Sequence, residues 1–465
     1  MIKDKFYNTN ENGKITILHY PLIQFLARNG YFMMSFDKGG EMLVKVENNI
    51  IKEVEESELI KCIQDYLTKL KLDNVLEKFA TGLGSYLNRK KLGLLPKIES
   101  FSDKDESNCG WIYYSNTAIK IKAEGIEVIP YKELKHKIWS TRIRKRAFKL
   151  LNSKNGQFRD FCFKLAKSDK DRFLALQTAI GYLLHRYNNP SLCKAIILND
   201  EKISFDGEAN GGTGKSLIAK ALTYMVNVVF TEGKNLKIGS WFRNQRIDIT
   251  TDISVYDDVG KDFSIETIFS ELTSGIVIER KRRDEIHLSA KDAPKYLISS
   301  NYIVKGPGGS SDERRRYEFE LSDYFVKRKP FEVYGNQFFD EWDSNEWDNF
   351  DNFMIECLQV YLKYSLIEAN PINLRKHRLI NVSSAEFEAF SKRMFVPDIW
   401  HDKRKMVGLF LVEFPNLKDD VTSHSFTKWI IEYAKQNNLI YQSKSSGGVY
   451  SFKLKSRKEA KDEEE

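Results

Sequence analysis

Between residues 191 and 325, short apolar runs of β character alternate with segments of helical periodicity. The order is "CKAIILND", a glycine-rich turn leading into "SLIAKALTYMV", then "ISVYDD", "SIETIFSELTSG" and "KYLISSN". Strands that alternate with helices imply a parallel sheet with helices on both faces. The glycine-rich turn is the most demanding part of this pattern. In "EANGGTGKSLIAKAL" (208–222), Asn210, Gly211, Gly212, Thr213, Gly214, Lys215 and Ser216 stand where a phosphate-binding loop opens a helix. Successive backbone N–H groups in such a turn cradle phosphate oxygens, and the helix N-terminus adds its dipole. Lys215 would reach the β- and γ-phosphates and Ser216 would offer its hydroxyl to Mg²⁺. The usual first glycine of G-x-x-x-x-G-K-[ST] is replaced by Ala209.

Four further elements follow in order. "TDISVYDDVG" is a strand ending in Asp257 and Asp258, a pair suited to hold Mg²⁺ through water and to polarise an attacking water. "ELTSGIVIERKRRDEIHLSA" reads as a helix ending at Ser274-Gly275, then two strands around a turn with Arg280, Lys281, Arg282 and Arg283. Four cations on a hairpin tip suit a single-strand phosphate backbone. "APKYLISSN" delivers Asn301 from a strand end, where it can orient a water. "SSDERRRYEFEL" carries Arg314, Arg315 and Arg316 ahead of a strand. An arginine supplied in trans stabilises a transferring phosphoryl group.

This order resembles the superfamily 3 helicases of viruses, phages and plasmids, and within them the phage- and poxvirus-type helicase-primase proteins. The resemblance spans residues 191 to 325 and extends from about residue 100 to the C-terminus. It implies an α/β fold: an AAA+-like P-loop ATPase core with a parallel sheet flanked by helices. It also implies ATP and Mg²⁺ as ligands, a hexameric ring of the chain with itself, and translocation on single-stranded DNA. Residue by residue, Lys215 and Ser216 take the nucleotide-loop roles, Asp257 the Mg²⁺ role and Asp258 the catalytic carboxylate role. Asn301 is similar to the sensor residue, and Lys281 to the pore lysine, with Arg282 and Arg283 beside it. Arg315 or Arg316 takes the place of the arginine finger. The metal-binding acids of the family's primase domain are not found in residues 1–125.

Five parts are expected along the chain. Residues 1–125 form an N-terminal α+β accessory domain, with a hairpin in "GEMLVKVENNIIKEV", a serine-capped helix in "SELIKCIQDYLTKLKL" and further strands in "NCGWIYYSNTAIKIKAEGIEVIPY". Residues 126–190 form a basic helical collar, whose last helix ends at Asn-Asn-Pro. Its stretch "KELKHKIWSTRIRKRAFK" (132–149) is a second candidate DNA contact. Residues 191–330 are the ATPase core. Residues 331–455 are helical and winged-helix-like, and residues 456–465 are a charged, disordered tail.

Composition narrows the classes. Hydrophobic residues make up 42% and charged residues 30%, and the net charge is +8. No apolar run approaches a membrane span, and no secretory signal opens the chain. The five cysteines, Cys62, Cys109, Cys162, Cys193 and Cys357, are scattered. That argues for a reducing compartment, here the cytoplasm, which for a phage product is the host's. The reading is an ATP-dependent DNA helicase in replication of a phage, plasmid or other mobile element, with a replication initiator or primase as partner. Two alternatives stand beside it: an origin-binding initiator ATPase without processive unwinding, and a non-hydrolysing, nucleotide-switched assembly or defence module.

Overall fold

The computed structural model describes residues 5–36, 40–152, 154–203, 212–236, 243–279 and 285–456. At its centre is a five-stranded, all-parallel sheet: β1 (Ala195–Asp200), β2 (Val228–Glu232), β3 (Ile253–Val259), β4 (Lys295–Ser300) and β5 (Arg316–Leu321), in the spatial order β2-β3-β4-β1-β5. Both faces are buried, which is why β1 and β4 read as unbroken apolar runs. One face packs Ile196, Leu198, Val255, Leu297 and Phe319 against the helices Gln157–Leu165, Lys170–Leu184 and Ser344–Tyr364. The other packs Ile197, Tyr256 and Ile298 against Phe263, Ile265 and Ile268.

The N-terminal sheet orders Ile138–Trp139, Ile50–Glu53, Glu41–Glu47, Tyr31–Ser35 and Lys97–Glu99. Alternation along Tyr31–Ser35 divides its contacts. Tyr31 and Met33 face helices that include Glu56–Lys69, whereas Met34 faces the strands Ile276–Ile278 and Ile286–Leu288. Those two strands pair antiparallel. The strands Cys109–Tyr114 and Ala118–Lys122 share the core of the three helices on the central sheet. At the C-terminal end, four helices surround a three-stranded antiparallel sheet ordered Trp400–Asp402, Val449–Ser456, Leu439–Ser446.

Three local expectations are corrected. Residues 131–151 are not helical; they run as short strands and single 3-10 turns because Arg142, Arg144 and Arg146 are drawn inward by distant partners. Helix Glu56–Lys69 starts before Ser57, with Glu55 at its cap and no side-chain cap bond. Helix Lys170–Leu184 stops ahead of Asn-Asn-Pro, and Arg186 turns in toward Asp105. The expected charged tail lies outside the described residues beyond Ser456.

Candidate functional site

The C-terminal ends of β1, β3 and β4 meet at one edge of the central sheet, where the strand order reverses around β1. Open α/β sheets bind ligands at such switch points. Each strand brings a polar side chain there. Asp200 ends β1, Asp257 and Asp258 lie near the end of β3, and Ser299 and Ser300 end β4 with Asn301 directly after them.

Lys215 opens the helix Lys215–Thr223 and is 8% exposed. Its Nζ donates to Asp200 Oδ2 at 2.5 Å and to Asn301 Oδ1 at 2.8 Å. Thr213 Oγ1 donates to the other oxygen of Asp200 at 2.5 Å. Gly214 caps the helix with φ of 109°, and a Cβ there would lie 2.7 Å from Cζ of Phe161. Both the backbone sign and the aromatic neighbour therefore demand glycine. Gly212 also has positive φ, at 100°.

In a regular strand Asp257 and Asp258 would point to opposite faces. Here the β3–β4 register shifts between Tyr256 and Val259, and Asp258 has φ of 55°. Such a bulge re-aims side chains, and both carboxylates serve the same edge. Ser216 Oγ lies 3.4 Å from Asp257 Oδ2, and Ser299 Oγ donates to Asp257 Oδ1 at 2.6 Å. Asn301 Nδ2 donates to Asp258 Oδ1 at 2.8 Å. Lys234 Nζ sits 2.6 Å from Asp258 Oδ2, and that hydrogen bond raises the lysine's pKa. Asn301 thus ties Lys215 to Asp258 through its two amide atoms.

Of the expected site residues, Thr213, Lys215, Ser216, Asp257, Asp258 and Asn301 come together, with Gly212 and Gly214 in the same turn. Asn210 and Gly211, and the hairpin cations Arg280, Lys281, Arg282 and Arg283, lie outside the described residues. Arg315 and Arg316 do not join the site. Arg316 pairs with Ala195 in the register, while Asp200 pairs with Leu321. Five strand residues, roughly 16 Å, separate the two levels. Arg316 donates to Asp312 Oδ1 at 2.7 Å, and Arg315 donates to Ser311 Oγ at 2.5 Å with its guanidinium over Phe269. Arg314 is exposed. The arginines of the basic stretch 132–149 are also engaged: Arg142 with Asp103, Arg144 with Asn227 and Arg146 with Asp351.

Three participants escaped the sequence reading. Asp200 had one legible signal, as an acid closing the strand before the glycine turn. Lys234 and Ser299 had none.

Ser216 and Asp257 offer hydroxyl and carboxylate oxygens, the donor chemistry of a hard divalent cation such as Mg²⁺. A lysine beside a glycine turn at a helix N-terminus suits phosphate. Among the described residues, no helix is long and apolar enough to cross a membrane.

No family model matches the sequence, and no curated protein matches it. Two solved structures of the NrS-1 C-terminal region are similar over 93% of this chain and 98% of theirs, at 12% identity. Their TM-scores are 0.41 and 0.40, too loose a likeness to identify the fold.

Proposed function

We propose that the chain is an ATP-dependent DNA helicase of superfamily 3 type, with an AAA+-like P-loop core. The observation that carries this reading is the chain of contacts Asp200–Lys215–Asn301–Asp258 at the sheet edge. Lys215 and the amides around Gly212–Gly214 would hold the nucleotide phosphates. Ser216 and Asp257 would hold Mg²⁺, which when bound neutralises charge on the phosphate oxygens. Asp258, aimed by Asn301 and Lys234, would orient and polarise a water. Because Arg315 and Arg316 sit at the far edge, either would act on a neighbouring copy, which a hexameric ring would supply. The cations of 280–283 would track single-stranded DNA. Replication of a phage or plasmid in the cytoplasm, beside an initiator or primase, is the setting this reading suggests.

ATP turnover of the full chain with and without a dT oligonucleotide tests it. Asp258→Asn keeps the shape of the Asn301 contact and is expected to lower turnover at least about 100-fold, with ATP binding retained. Lys215→Ala is expected to abolish ATP binding. Wild-type protein that hydrolyses no ATP with DNA present, or Asp258→Asn at full rate, rejects the assignment. DNA-stimulated turnover with no strand displacement would leave the initiator reading.

A further inference from the structure

The C-terminal sheet carries a surface with its own chemistry. Phe452 and Leu454 are fully buried in the C-terminal core. By alternation, Ser451 and Lys453 stand on the opposite, outer face. The register sets Trp400 and Gln442 opposite Lys453, and Lys444 opposite Ser451. Trp400, Lys444 and Lys453 therefore share the outer face. Trp400 is 38% exposed. Lys444 Nζ lies 4.1 Å from its ring centroid and Lys453 Nζ 5.7 Å.

A second aromatic-cation group lies at the tip. Tyr450 is 50% exposed, and the Lys403 ammonium and Arg404 guanidinium lie 5.5 and 5.8 Å from its ring centroid. Gly447 and Gly448, both at positive φ, close the turn in two residues and keep the tip narrow. Of the three lysines in 439–456, Lys444 and Lys453 stand on the outer face and Lys455 is buried. Asp402, which the register sets opposite Ser451, is engaged as the cap of helix Lys403–Glu413, accepting from the Lys405 backbone N–H.

We infer that this outer face and tip bind single-stranded DNA, with Trp400 stacking on a base and Lys444 and Lys453 contacting the flanking phosphates. The charge favours a polyanion, and an exposed ring offers what unpaired bases seek and duplex bases already have. The lysine over Trp400 is no obstacle. At an exposed site a cation–π contact is weak, so the ammonium can swing to phosphate as the base takes the ring. The surface is separate from the sheet-edge site and stands whether or not that site hydrolyses ATP.

The test uses the full chain without nucleotide. A dT oligonucleotide is titrated while tryptophan emission and oligonucleotide anisotropy are followed. Quenching is expected in the wild type. Trp400→Ala is expected to lose part of the quench and bind about tenfold more weakly, while Trp400→Phe keeps most of the affinity. Replacing Lys444 and Lys453 together by Ala is expected to flatten the dependence of log affinity on log salt by about 1.4. Basal ATP turnover and the thermal midpoint, read in parallel, are expected to be unchanged because these side chains lie on an outer face. Equal affinity and quench in Trp400→Ala, or equal quench by a blunt duplex, overturns the inference.

Discussion

Asp200 decides how Lys215 is held. The aspartate is 2% exposed, and its two oxygens take Thr213 and Lys215. Remove the carboxylate, and a buried ammonium keeps only the neutral Asn301 oxygen among the partners described here. Breaking one side of a buried pair costs about 3–5 kcal/mol, because the remaining charge stays out of water. Asp200→Ala is therefore expected to lower unfolding stability by about 3 kcal/mol in urea and to weaken ATP binding. Asp200→Asn keeps an acceptor for Thr213 and is expected to fall between. An Asp200→Ala variant as stable as wild type would show that Lys215 finds water instead.

At the scale of elements, legibility followed burial. The strands β1, β3 and β4 were readable because their covered faces leave apolar runs, whereas the half-buried edge strand β2 was not read. The alternation of apolar residues could not reveal the bulge that turns Asp257 and Asp258 to one edge, since the strand pattern alone sets them on opposite faces. Nor could it reveal that 131–151 is irregular. Arg142 is held by Asp252 and Arg146 by Asp351, 110 and 205 residues away. Gly275 shows how an element boundary can be tested. It has φ of 96°, and a Cβ there would lie 2.1 Å from the Leu288 carbonyl oxygen, in the partner strand of the hairpin. Gly13 has φ of 74° with open space around it. Gly13→Ala is expected to cost only the left-handed strain, about 1 kcal/mol. Gly275→Ala, which must also move backbone, is expected to cost about 3 kcal/mol or more by urea unfolding. Equal costs would mean that the hairpin yields freely.

Across the whole molecule, a buried ion cluster joins the N-terminal part to the base of the central sheet, at the edge opposite Asp258. Asp103 and Asp252 clasp Arg142, Asp105 takes Arg186, and Lys104 lies 3.6 Å from Asp252. Burial would raise the Asp103 carboxyl, but Arg142 and Arg186 outweigh it and hold it well below the usual carboxylate range. Lys295, the first residue of β4, is balanced the other way. Its Nζ donates to the carbonyls of Tyr182 and His185 at 2.6 and 2.5 Å and lies 4.1 Å from the Tyr182 ring centroid. Burial lowers its pKa from 10.5 to about 7, although Asp105 pulls it upward. Between those values the unfolded chain binds a proton at this lysine that the folded chain does not, so stability attributable to Lys295 rises with pH. Below pH 7 both states are protonated and the desolvation cost is paid in full. Lys295→Met removes this titration and leaves two carbonyls short of a donor, a penalty that does not vary with pH. Urea unfolding of both proteins between pH 7 and pH 10 is therefore expected to show the wild type gaining on the variant by up to about 1.4 kcal/mol per pH unit. Parallel stability profiles would mean that Lys295 stays charged through this range, with the cluster's carboxylates offsetting its burial.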